Sequence, residues 1–333
     1  MARLSRRWVV LTAALTVAAP ALPALAPPAA QAQSWPSGPI RIIVPFPPGG
    51  SVDAVARLAQ AGLAQRLGVT VVIENRTGAS GSTGTAVVAK SPPDGSTWLI
   101  VFDTHAVNPS LLPNLPFDNE KDLEPVSLIA TAPYVVARHP SRPYTDIAEL
   151  VSAAKQKPGS ISYASVGSGS IGHLALALFG KEAGIDLIHV PYRGGGPALN
   201  DTIAGHVDLI IASAALLMPQ IEPGAIRPVV QMGQARLRAL PDVSTIAESG
   251  YPGAQASSWW GFYAPGGTPK PIIERFRTAL VESLREERVA KQLTETQQMT
   301  LVLSGPEELR RFAAEQARIW GAVVRDNNIR ADE

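Results

Sequence analysis

Ser51, Ser82, Ser168 and Ser170, each beside a glycine, and Arg76 and Arg193 in similar loops are the residues whose types and spacing suit them to holding an anion. Gly49-Gly50-Ser51 and Gly167–Ser170 each stand between a short strand-like run and the start of a helical period. Where a strand passes through a tight loop into a helix, unpaired N–H groups and the positive end of the macrodipole converge on one point. Each such end contributes roughly 0.3–1 kcal/mol toward a bound carboxylate, and about 2 kcal/mol where partly buried. Gly49, Gly50, Gly167 and Gly169 let the backbone come close because no Cβ intervenes. Phe46 and Trp259 or Trp260 offer walls to a cleft, and Gly81-Ser82 closes a Gly-rich loop that begins at Asn75. His173 stands in the first turn of its helix, facing a ligand or capping. Tyr192 and Arg193 lie between a strand end and Gly194-Gly195-Gly196. Plainer roles stay open: Ser51, Asp53 and Ser170 as N-caps, the tryptophans as core, and Arg76 in a surface pair with Glu74.

Catalytic signatures are sparse. No serine has glycines two residues away on both sides, so the nucleophile elbow is missing. Neither Gly49-Gly50 nor Gly167–Gly172 continues into Gly-Lys-Ser/Thr; Gly167–Gly172 fits Gly-x-Gly-x-x-Gly in letters but follows a polar strand. His105, His139, His173, His189 and His206 show no paired ligand spacing. The expectation is a binding protein with no catalytic residue, metal or cofactor. Two alternatives stand beside it. One is a secreted hydrolase or isomerase using Ser170 and His173, which lacks a third member; the other is a ligand-sensing partner of a signalling membrane protein.

The elements that must position these residues alternate. A strand over Ile40–Pro45 precedes a helix over Ala54–Leu67 with Val55, Leu58, Ala59, Leu63 and Leu67 on one face and Gly68 as its stop. A strand (Val69–Glu74), a short helix (Thr83–Lys90) and a strand (Thr97–Phe102) follow. Asn108 to Asp122 reads as a long connection. After a β-rich run, Val126–Arg138, and a helix opened by Asp146 and Glu149 at capping-box spacing, the order repeats. Strand Ile161–Ser165, helix Ile171–Ala183, stop Gly184, strand Ile185–Pro191, helix Pro197–Ala204 and strand Val207–Ala212 restate the first unit, with Arg193 at the step of Arg76. Strands alternating with helices imply parallel sheets covered on both faces. Later come a strand over Val229–Met232, a helix and turn over Ile246–Pro252, and a second long β run, Ala256–Ala264. Two helices, Pro271–Leu293 and Pro306–Asn327, close the chain, the latter with Ser304 and Glu307 as a capping box. The two long β runs are read as crossovers between lobes.

Arg3, Arg6 and Arg7, the apolar stretch Trp8–Ala19 and Ala30-Gln31-Ala32 make a signal peptide cut after Ala32. Prolines from Pro20 onward interrupt it too early for a membrane span of roughly 20 residues. Taking three arginines from the 29 basic side chains leaves 26 against 28 acidic, so no basic excess points to nucleic acid. Zero cysteines exclude disulfides and thiolate metal sites.

Pro39 to Asp53, Val-Ile-Glu-Asn-Arg76 with its Gly-rich sequel, Asn-Pro109, Tyr163 to His173 and Val190 to Gly196 resemble, in order, the periplasmic receptors of tripartite tricarboxylate transporters, the Bug family. The resemblance runs from about Trp35 to the C-terminus. It implies an α/β, two-lobed, type II periplasmic-binding-protein fold, with a mixed sheet flanked by helices in each lobe and two crossover strands. It also implies a small carboxylate as ligand and membrane subunits of a tripartite transporter as partners; from the charge balance no nucleic acid is expected, from the signal peptide a periplasmic location, and the expected state is a monomer. The family's ligand loops fall here on Phe46–Ser51, Pro48 included, and on Ser165–Ser170. One departure is Phe46-Pro47-Pro48, where the family often has a small residue before the Pro-Gly-Gly, and it stiffens the first loop. The lobes are expected over 33–131 with 258–333, and over 132–257.

Overall fold

The structure, a computed structural model, describes residues 35–330 except Pro113 and Asn328; the expected signal peptide and its cleavage site lie outside the described residues. The first α/β unit comprises β1 (Ile40–Val44), α1 (Ser51–Leu67), β2 (Val71–Asn75), α2 (Ser82–Ala89), β3 (Thr97–Phe102) and α3 (Thr104–Leu111). Then come β4 (Leu123–Arg138), α4 (Ile147–Gln156), β5 (Ser162–Ser165), α5 (Ile171–Ala183), β6 (Ile188–Pro191), α6 (Gly195–Ile203), β7 (Leu209–Ser213), α7 (Ala214–Ile221) and β8 (Arg227–Gln231). The last part holds β9 (Ser257–Pro265), α8 (Lys270–Leu284), α9 (Glu287–Lys291), β10 (Thr300–Leu301) and α10 (Pro306–Asp326).

The strands run β2-β1-β3-β9-β4-β7-β5-β6, with β8 and β10 also on β4. In the first lobe β2, β1 and β3 are parallel, and β9 adds antiparallel to β3. In the second, β6, β5 and β7 are parallel. The long strand β4 serves both: Leu123 to Pro133 pair with β9, while Tyr134 to Arg138 pair with β7. The chain returns at Ala256, whose N–H bonds Met232 O on one side before Ser257 joins β9 on the other. Two α/β lobes therefore share one strand path. Trp98, Trp259 and Trp260 are fully buried, so both β9 tryptophans are core and neither is a free wall: Trp259 meets Phe312 and Trp260 meets Phe102.

Several local expectations need correction. α1 starts at Ser51 behind Gly50, without a side-chain cap, so neither Ser51 nor Asp53 caps it. α10 starts behind Gly305, and Ser304 turns inward to accept from Leu128 N–H. Asn108 to Asp122 is not all connection, because α3 occupies its start. Pro109 inside α3 cannot donate to the carbonyl four residues earlier, and Asn119 Nδ2 donates to that His105 carbonyl at 2.9 Å instead. No regular helix forms over 246–251; a single 3-10 turn covers Pro252–Ala254. Pro271–Leu293 is broken into α8, α9 and a wider π turn over Gln292–Thr296. The paired stops hold: Gly68 and Gly184 end α1 and α5 in the left-handed region, where a Cβ would be strained.

Candidate functional site

At the end of β1 the chain turns through Phe46–Gly50, and the turn is braced from inside. Asn75, the last residue of β2, donates to Phe46 O at 2.9 Å and to Asp53 Oδ1 at 3.0 Å. Asp53 Oδ2 accepts Gly49 N–H and Arg57 Nε. Burial opposes the charge on Asp53, but the hydrogen bonds from Arg57, Asn75 and Gly49 outweigh it and hold the carboxyl below its ordinary value. Asp53 is thus an ionised brace rather than a cap. Phe46 is buried beneath Gly81, whose Cβ would lie 3.1 Å from the ring, and packs edge-on to Phe102. Ser51 and Ser82 are also buried.

The counterpart in the second lobe is the loop from Ser165 into α5. Ser170 caps α5, accepting His173 N–H at 3.3 Å. His173 Nδ1 accepts Gly169 N–H at 3.1 Å, which fixes that nitrogen as an acceptor. The His173 ring stacks on His189 at 3.9 Å, and Ser165 Oγ meets His189 Nε2 at 2.7 Å. Ser170 and His173 are therefore joined as cap and first turn, not as nucleophile and base. Tyr192 gives its hydroxyl to Asp201 at 2.7 Å, and Arg193 is exposed. Arg76 pairs with Glu74 at the surface.

The two sets of loops meet. Ser80 Oγ donates to Ser168 O at 2.7 Å, and Asn108 Nδ2 of α3 holds the Ser80 carbonyl at 3.1 Å. A Cβ on Gly169 would overlap Leu111 of α3. A Cβ on Gly194 would lie 2.8 Å from the Pro47 ring, and one on Gly196 would lie 3.0 Å from Pro48 O. The loops of the two lobes thus approach one another at Ser80 and Ser168, at Pro47 and Gly194, and at Pro48 and Gly196. Sequence reasoning missed Asn75, Ser80 and Asn108. Asn75 and Ser80 lie in the Gly-rich loop, and Asn108 opens the stretch to Asp122 that the sequence presents as a long connection.

Behind the second jaw lies Asp103, between β3 and α3, with no solvent exposure. Its Oδ2 accepts the Tyr134 hydroxyl at 2.6 Å. The N–H groups of Ile171 and Thr104 face its carboxyl without completing a hydrogen bond at Oδ1. Burial outweighs these donors and raises the carboxyl to about 7. The start of α5 is consequently occupied from within the protein, whereas the start of α1 carries no side-chain cap.

A family model described as "Tripartite tricarboxylate transporter family receptor" matches residues 55–329. BugT of Bordetella pertussis is 36% identical over 297 residues, covering 89% of this chain and 91% of its own. A Rhodopseudomonas palustris protein solved with bound malate, MatC, superposes with a TM-score of 0.80 at 31% identity, covering 87% of this chain and 100% of its own. An R. palustris protein solved with adipate superposes with a TM-score of 0.84 at 34% identity, covering 89% and 99%.

Proposed function

The chain belongs to the receptor family of tripartite tricarboxylate transporters, and from that premise we propose that it closes its two lobes on a small organic acid held between Phe46–Ser51 and Ser165–Ser170. The protein is a solute-binding receptor for carboxylates of the periplasmic type. The supporting observation is the meeting of the two jaws through Ser80 and Ser168 and through Pro47–Gly50 and Gly194–Gly196.

In this reading the ligand carboxylate lies at the uncapped start of α1, on N–H groups that the first turn cannot use internally. Gly49 and Gly50 admit it, Ser51 and Ser82 add hydroxyls, and Ser165 and Ser168 face it from the second lobe with Gly169. Phe46 and Pro48 shape the first jaw, and Ser170 and His173 hold the second in place. Tyr192 and Arg193 stand at the rim. Closure is a population shift, so the acid favours the closed form only by the contacts it makes with both jaws at once. The lobes are assigned to 33–131 with 258–333, and to 132–257. Export with cleavage after Ala32, a monomeric state and delivery to the membrane subunits of the transporter complete the proposal. The protein acts by binding and release, without turnover.

Isothermal titration against mono-, di- and tricarboxylates, malate and adipate included, tests this. The expected result is saturable heat and a thermal shift for at least one acid. Neither heat nor shift for any of them would overturn it.

A further inference from the structure

Asp103 is a fully buried carboxyl next to the loop that the proposed site presents to a carboxylate ligand. Ile171 follows Ser170 directly, so Asp103 and the loop Ser165–Ser170 share the same end of α5. The two buried aspartates near the cleft differ in one respect. Asp53 is paired with Arg57, whereas the partners of Asp103 among the described residues are the neutral Tyr134 hydroxyl and backbone N–H groups. Of the titratable side chains around it, Tyr134 of β4 touches Asp103, His105 of α3 stands against Tyr263 of β9, and His173 of α5 is stacked on His189 of β6; β4 also carries Glu124 and Arg138, and α5 carries Lys181 and Glu182. On α10, which covers α3, Arg310 reaches Glu124. Tyr134 is pushed upward by burial and by Asp103, and burial lowers His105 to about 4, so neither supplies a positive charge near neutrality.

We propose that Asp103 couples capture to proton uptake: when a carboxylate enters between the jaws, at the start of α1 and facing the loop Ser165–Ser170, Asp103 behind that loop gains a proton. The proposal rests on the reading of the cleft as a carboxylate site. Its physical basis is that like charges in a poorly solvated site disfavour joint ionisation, and that Asp103, lacking a cation, is the one able to neutralise. The proton comes from solvent and joins Oδ1, the carboxyl oxygen with no completed hydrogen bond. There it turns an acceptor into a donor while Oδ2 keeps the Tyr134 hydroxyl. Release of the acid returns the proton.

The test is titration of the full mature receptor with malate and with adipate at one pH near 7 in two buffers of different ionisation enthalpy. Wild type is expected to show buffer-dependent heat equivalent to up to about half a proton taken up per ligand, with affinity falling by up to about tenfold per pH unit above neutrality. In Asp103→Asn the uptake disappears and affinity becomes independent of pH. Buffer-independent binding by wild type overturns the coupling and leaves the carboxylate reading intact; no binding of any acid overturns that reading itself. Uptake that persists in a folded Asp103→Asn also overturns the coupling, since His173 or the ligand would then carry the proton. Should Asp103→Asn fail to fold, Tyr134→Phe decides. Loss of its hydroxyl removes a donor that favours the ionised carboxyl, so the pH of greatest uptake moves upward, and an unmoved maximum overturns the proposal.

Discussion

The Ser80 hydroxyl donates to the Ser168 carbonyl at 2.7 Å, joining the first lobe to the second. Ser80 is itself held at φ 49°, beside Ala79 at φ 44°, so two consecutive non-glycine residues occupy the left-handed region. Strain of that kind persists where surrounding bonds fix it, and here Asn108 fixes it by gripping the Ser80 carbonyl. Ser80→Ala keeps the strain and removes the donor, which costs about 0.5–1.5 kcal/mol of closed-state stabilisation. Titration with a bound acid should show affinity reduced by up to about tenfold. Ser80→Gly removes the strain as well, and it should lose the same hydrogen bond while raising the unfolding temperature relative to the alanine variant.

Gly196 gives a variant in which stability and binding move in opposite directions. It is the second residue of α6, where alanine is about 0.5–1 kcal/mol better than glycine. Its Cβ, however, would lie 3.0 Å from Pro48 O and 3.5 Å from the Gly49 carbonyl carbon, both in the opposite lobe. Gly196→Ala should therefore raise the ligand-free unfolding temperature slightly and weaken acid binding several-fold, and Gly196→Val should weaken it further. Thermal melts and titration on the same sample separate the two effects.

Most of this architecture was legible because its signals are local. β3 and α5 have the bounds that alternation and glycine stops require, and the two Gly/Ser loops fall where strands give way to helices. What was not legible depended on distant partners. α3 was hidden by Pro109, whose cost to the helix is relieved by Asn119, ten residues further on. The cap expected at Ser304 failed because that hydroxyl found Leu128 across the fold. Asp103 sits in a plain strand-to-helix turn, and nothing in its neighbours announces that Tyr134, in the other half of the sheet, will bury it.

Asp103 and His105 should oppose each other in acid. The Asp103 carboxyl is raised from 3.8 to about 7 in the folded protein, so the folded state binds the extra proton between those values and stability falls as pH rises through them. His105 is lowered from 6.5 to about 4 by burial, so the unfolded state binds the extra proton and stability falls as pH drops through that window. Each slope approaches about 1.4 kcal/mol per pH unit, and the two nearly cancel between about pH 4.5 and 6.5. Relative to wild type, Asp103→Asn should lose stability on acidification across this range, and His105→Leu should gain it. Urea unfolding at half-unit intervals of pH reads both differences directly.

Asn75 carries the last prediction, because its amide is the shared donor to Phe46 O and Asp53 Oδ1. Asn75→Ala leaves two acceptors short of a partner in the loop that faces the ligand, which costs about 1–3 kcal/mol and loosens the first jaw. Asn75→Asp is more informative. In wild type the lowered carboxyl of Asp53 contributes stability that is present above its unfolded value of 3.8 and is lost as pH falls through its folded value. A second carboxylate at position 75 would stand within hydrogen-bond distance of the first, so one of the pair would have its proton affinity raised. For that variant stability should increase as pH falls from 7 toward 5, a range in which Asp53 alone leaves stability unchanged. Denaturant unfolding at the two pH values decides it, and parallel slopes for wild type and variant would show that Asn75 does not brace the loop through Asp53.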